Sequence, residues 1–140
     1  MHTEGIFTPE TAAEARERYE AVGPTAQTTV REVAKAMDFD REEYDERVTG
    51  AVVETAREAI FASLLAVTVG TREEYEDWLA DHPAYDRADI GSEHVSNVAW
   101  HAAPATETVV AATFEDKEAA AVGTLRRQAF GEVYRELVTE

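Results

Sequence analysis

Histidines, grouped arginines and paired carboxylates are the side chains here whose chemistry could reach beyond the fold. There are four histidines. His2 lies in the terminal stretch, and His82 precedes Pro83 at a helix end, where it can meet the last carbonyls. His94 and His101 flank one extended segment. They differ by an odd number of residues, so they point to opposite faces and stand about 23 Å apart, too far to share a metal. His101, beside Trp100 and before Ala102-Ala103-Pro104, is the one candidate general base. That role needs a nearby carboxylate and a pocket; the competing expectation is a strand histidine on a polar face.

Arginine offers bidentate binding of carboxylate or phosphate. Arg126 and Arg127 adjoin on the last helix, with Arg135 two turns beyond Arg127. These three, with Trp100, are the candidate contacts for a ligand or protein partner; ion pairs with neighbouring acids are the simpler expectation. Arg31, Lys35 and Arg41 would matter only to a nucleic-acid reading. In that reading Val30 to Val48 forms a helix-turn-helix and a later hairpin serves as a wing. The presumed recognition helix argues against it. Glu42, Glu43, Asp45 and Glu46 outnumber Arg41 and Arg47 there, whereas phosphates and base edges are met by Arg, Lys, Asn or Gln.

Other chemistries lack their residues. The chain has no cysteine, so no disulfide or thiolate forms. No glycine pair spells a dinucleotide fingerprint or a phosphate-binding loop. Ser63, Ser92 and Ser96 lack a nucleophile-elbow context. Pairs such as Glu42/Glu43 and Glu73/Glu74 arise by chance among 29 acidic residues. No metal and no cofactor is expected.

The elements that must hold these residues follow from periodicity and punctuation. Thr8-Pro9 is expected to open a first helix, ended by Gly23-Pro24. A second spans Thr25 to Met37 with the apolar stripe Ala26, Val30, Val33, Ala34 and Met37. Asp40 caps a third, and Val53, Ala56, Ile60 and Leu64 continue at helical spacing beyond Thr49-Gly50. Residues 66–69 read as a strand, the boundary falling between Ile60 and Leu64. Thr71 and Glu74 make a capping box for a short helix ending before Pro83. Residues 84–93 read as irregular. Residues 94–103 and 108–114 read as a hairpin, with Val98, Trp100 and Ala102 on one face and Val110, Ala112 and Phe114 on one face. The last helix runs from about Asp116 to Val138 with the stripe Val122, Leu125, Ala129, Val133 and Leu137.

The expected fold is therefore α+β in a single domain over residues 1–140. An N-terminal helical portion of three to four helices (1–60) packs with a β-α-β-β-α portion (61–140) built on a three-stranded sheet. The last helix would lie against Val98, Trp100, Val110 or Phe114. The open edges of such a sheet are available for pairing with a second copy, which is compatible with a homodimer and does not require one.

Composition speaks of the solvent. Asp and Glu number 29 against 13 Lys and Arg, a net charge of −16. Only Lys35 and Lys117 are lysines. With 44% hydrophobic and 9% aromatic residues, the chain can build a core, which separates it from disordered acidic chains. Self-repulsion on this scale loosens a small domain in dilute buffer. Molar salt shortens the Debye length to about 3 Å and screens it. A soluble, cytoplasmic protein of a high-salt cell is expected, stabilised by concentrated KCl. No apolar membrane span and no signal peptide is expected.

Several stretches carry a resemblance across most of the chain. They are Gly23-Pro-Thr-Ala-Gln, Val30-Arg-Glu-Val-Ala-Lys-Ala-Met, Asp40-Arg-Glu-Glu-Tyr-Asp-Glu-Arg-Val, Val69-Gly-Thr-Arg-Glu-Glu-Tyr-Glu-Asp-Trp, Val98-Ala-Trp-His-Ala-Ala-Pro and Thr124-Leu-Arg-Arg-Gln-Ala-Phe-Gly. Together they resemble an uncharacterised haloarchaeal protein family, a domain of unknown function. The resemblance implies a haloarchaeal cytosol and transfers no activity or catalytic residue. The leading expectation is a non-enzymatic protein-interaction or regulatory module with an unknown protein partner. A winged-helix-like nucleic-acid binder is the alternative, and a small enzyme using His101 the third.

Overall fold

The structure, a computed structural model, describes residues 1–139. Its elements run β1 (His2–Glu4), α1 (Ala12–Ala21), α2 (Gly23–Ala36), α3 (Arg41–Arg47), α4 (Gly50–Leu64), β2 (Val67–Thr71), α5 (Arg72–Asp81), β3 (Asp86–Ile90), β4 (Asn97–Ala103), β5 (Thr108–Phe114), α6 (Glu118–Ala129), a π-helical turn (Phe130–Tyr134) and α7 (Arg135–Thr139). The class is α+β. The sheet has five strands in the order β1-β2-β4-β5-β3, not three. Only the β3–β5 pair is parallel. The two unexpected strands are the edges. β1 is three polar residues and β3 reads Asp-Arg-Ala-Asp-Ile, so neither has the apolar alternation that marks a strand. Short, charged edges discourage edge-to-edge pairing.

The helix starts at Asp40 and Thr71 are set by the expected caps. The Asp40 carboxylate accepts from the Glu43 amide at 2.8 Å and the Thr49 hydroxyl from the Val52 amide at 3.3 Å, so Thr49-Gly50 separates α3 from α4. Thr71 and Glu74 close a full capping box. α1 starts later than expected, because the Thr11 hydroxyl accepts from the Glu14 amide and caps it in place of Thr8. Pro9 is instead buried in a strap ahead of α1. α2 ends in a Schellman turn. The Asp38 amide donates to Lys35 O at 3.0 Å and the Phe39 amide to Ala34 O at 3.3 Å, with Asp38 left-handed at φ 55°.

The sheet is covered on both faces. On one, Tyr75, Trp78 and Leu79 of α5 pack over Val98, Trp100, Val109 and Ala111. On the other, α1, α4 and the α6–π-turn segment bury Val67, Val69, Ala99, Val110 and Ala112 beneath Phe61, Val122, Leu125 and Phe130. The last helix therefore lies on the Ala99 and Val110 side, not against Val98 and Trp100. Antiparallel register explains the correction. Trp100 pairs with Ala111 and His101 with Val110, so Val110 shares a face with His101, not with Trp100.

The last helix is not α-helical throughout. The wider turn at Phe130–Tyr134 keeps Ala129, Phe130, Val133 and Tyr134 all buried. The strap is held beneath it. Gly5 has φ +92°, and a Cβ there would overlap the Leu65 carbonyl oxygen. Arg126 Nε donates to that same oxygen at 3.0 Å.

Candidate functional site

His101 lies on the face of β4 covered by the last helix, only 1% exposed, which corrects the polar-face expectation. Nδ1 is 2.6 Å from Ala66 O and Nε2 is 2.6 Å from Tyr134 Oη. A carbonyl only accepts, so Nδ1 carries the proton. In the neutral ring Nε2 therefore accepts from the Tyr134 hydroxyl. Burial lowers the imidazole pKa, and nearby Arg126 lowers it further, while the Ala66 carbonyl opposes them. Burial raises the Tyr134 pKa. Both ring nitrogens are bonded and neither meets solvent, so this geometry satisfies a core histidine and presents no free base to a substrate.

The predicted partner contacts separate. Trp100 is 2% exposed, its ring 5.2 Å from that of Tyr75 under α5. Arg126 turns inward to the Leu65 carbonyl oxygen. Arg127 and Arg135 do converge, on a hollow of about 200 Å³ between α4 and the last helix that Phe130 and Glu58 also line. There Arg135 Nε meets Glu58 Oε1 at 3.1 Å and its guanidinium lies 5.2 Å from the Phe130 ring centre. Arg127 makes no ion pair among the described residues.

The nucleic-acid set is dispersed among acids. Arg31, Lys35 and Arg41 are exposed, but Lys35 Nζ is held 3.3 Å from Glu32, and Glu42, Glu43, Asp45 and Glu46 all face solvent. The hairpin expected as a wing is the buried centre of the sheet. One trio escaped sequence reading. His2 Nε2 lies 3.7 Å from Glu4 and 3.3 Å from Glu118, on the open surface. The i, i+2 spacing of His2 and Glu4 was visible, but nothing linked Glu118 to them.

The surface that departs most from the rest is apolar. A groove of about 350 Å³ runs between α2, the α3 ends and α4, lined by Val30, Val33, Met37, Phe39, Val48 and Val52 among others. The Schellman turn folds Phe39 back to form its end. Val33, Met37 and Val52 are 54%, 59% and 42% exposed. Its single charged wall residue is Arg47, whose guanidinium lies 5.6 Å from the Phe39 ring centre. Four other hollows each include a carboxylate: Glu58; Glu14 and Glu17; Asp89 and Glu93; Glu115 and Asp116. This groove has none. The α2 stripe was legible in the sequence; that α4 would cover only its Ala26 and Ala34 side was not.

The fold and surface define an α+β protein with helices on both faces of a five-stranded mixed sheet and an open apolar groove in its helical part. The chain belongs to the family of unknown function DUF5809, matched over residues 6–135. No curated protein and no solved structure matches it. Among the described residues no helix is long and apolar enough to cross a membrane.

Proposed function

We propose that this protein is a non-enzymatic interaction module of a high-salt cytosol whose contact surface is the α2–α4 groove. The occupant is a helix presenting an uncharged apolar ridge, the shape and chemistry that an inter-helix trough accepts. One observation carries the reading. A chain with net charge −16 leaves Val33, Met37 and Val52 open to water in a trough free of carboxylates. Exposed apolar patches of this kind mark association surfaces, and methionine adapts to varied contours. His101, the one catalytic candidate, is occupied within the core.

A photo-crosslinking residue placed at position 33 and, as control, at exposed position 73 on α5 tests the reading in cells. A discrete adduct at 33 with none at 73 is expected. No adduct at 33, or equal labelling at both positions, overturns it.

A further inference from the structure

We propose that the occupant of the groove is the same face of a second copy of this chain, giving a two-fold dimer with α2 antiparallel to its counterpart. This rests on the reading of the groove as a contact surface and names its partner. The groove side of α2 exposes Thr29, Val33 and Met37, a strip without a single charge. Thr29 is also internally satisfied, its hydroxyl donating to Thr25 O at 2.8 Å. Glu32 lies one residue from Val33, and Arg31 and Lys35 two residues from it, so each projects at least about 100° around the helix from that side chain.

Charge selects the partner. Two copies of this chain repel almost everywhere, and like charges brought together at an interface oppose docking. The strip is where a copy can approach without opposing charges, and a neutral surface complements itself. A partner helix carrying charges would find only Arg47 in the groove to meet them. Shape agrees with charge. An isologous contact requires ridge and trough on one surface, and here the Val33–Met37 ridge borders the trough that ends at Phe39, Val48 and Val52. The sheet edges offer no competing route, being short and charged.

Sedimentation of the purified full chain in molar KCl, with Val33→Asp and Met37→Asp variants, tests this. The wild type is expected to sediment as a dimer. Either variant, burying an unpaired carboxylate at the interface, weakens dimerisation at least about tenfold. Because both side chains are exposed, circular dichroism of the variant monomers should match that of the wild type. A wild type that stays monomeric at every concentration, or variants that dimerise as well as it does, overturns the proposal. The two readings fail separately. A monomeric wild type whose position 33 still crosslinks to another polypeptide in cells ends the second-copy proposal and leaves the groove as a contact surface; monomers with no adduct end both.

Discussion

The Tyr134 hydroxyl and His101 Nε2 lie 2.6 Å apart across the layer between the last helix and the sheet. With Ala66 O on the other ring nitrogen, a polar chain runs from the start of β2 through β4 to the π-helical turn. Its order is set by the carbonyl, which fixes the tautomer and so makes tyrosine the donor. A buried, fully bonded chain of this kind rigidifies a core and is expensive to break in part.

Tyr134→Phe removes the donor and leaves Nε2 buried without a partner. It should destabilise the fold by about 1–3 kcal/mol. Urea unfolding at constant KCl measures this, and a change near zero would mean that the hydroxyl contributes nothing to the core.

The same histidine gives stability an acid limit. Burial, followed by Arg126, holds its folded pKa below the ordinary imidazole value. The unfolded chain therefore takes up a proton first as pH falls. The contribution is fully present above about pH 6.5 and is lost progressively as pH drops toward the folded pKa. The carboxylates titrate too, so the readout is the difference between wild type and His101→Leu. The wild type should lose stability more steeply between neutral and mildly acid pH; parallel curves would contradict this.

Gly5→Ala should loosen the N-terminal strap. The left-handed backbone and the approach of Leu65 O leave no room for a Cβ. The strain is about 1–3 kcal/mol. Amide exchange should speed up at Ile6, Phe7 and Ala66, whose bonds join the strap to the end of α4 and the start of β2. Unchanged protection there would show that the strap tolerates the side chain.

Concentrated salt should stabilise the fold. As the Debye length falls from about 10 Å at 0.1 M to about 3 Å at 1 M, repulsion within the acidic surface is screened. The midpoint of thermal unfolding should rise steadily with KCl. A midpoint indifferent to salt would mean that the carboxylate excess serves some purpose other than tolerance of brine.

Legibility followed burial and punctuation. The capping box of Thr71 and Glu74, the Asp40 cap and the β4–β5 hairpin were readable because each rests on a local hydrogen-bonding pattern or an apolar run. β1 and β3 were not, because edge strands face water and carry charge. The sheet face seen by the last helix was misread for a related reason. Val98, Ala99, Trp100 and His101 are all buried, so β4 has no alternation from which to tell its two sides apart. His101 looked like a polar-face residue because its partners, Ala66 and Tyr134, are 35 and 33 residues away. The groove was half legible: the stripe of α2 was evident, but which part of it α4 would leave uncovered depends on how the two helices pack.

Methionine offers the most direct test of the groove as the contact between two copies, since the chain holds only two, Met1 and Met37. Methyl NMR of protein labelled at methionine, followed through a dilution series in molar KCl, reports on both sites at once. The Met37 resonance should move saturably with concentration while Met1 stays fixed. A Met37 resonance that holds still across the series, or moves no more than that of Met1, would contradict self-association through the α2–α4 groove.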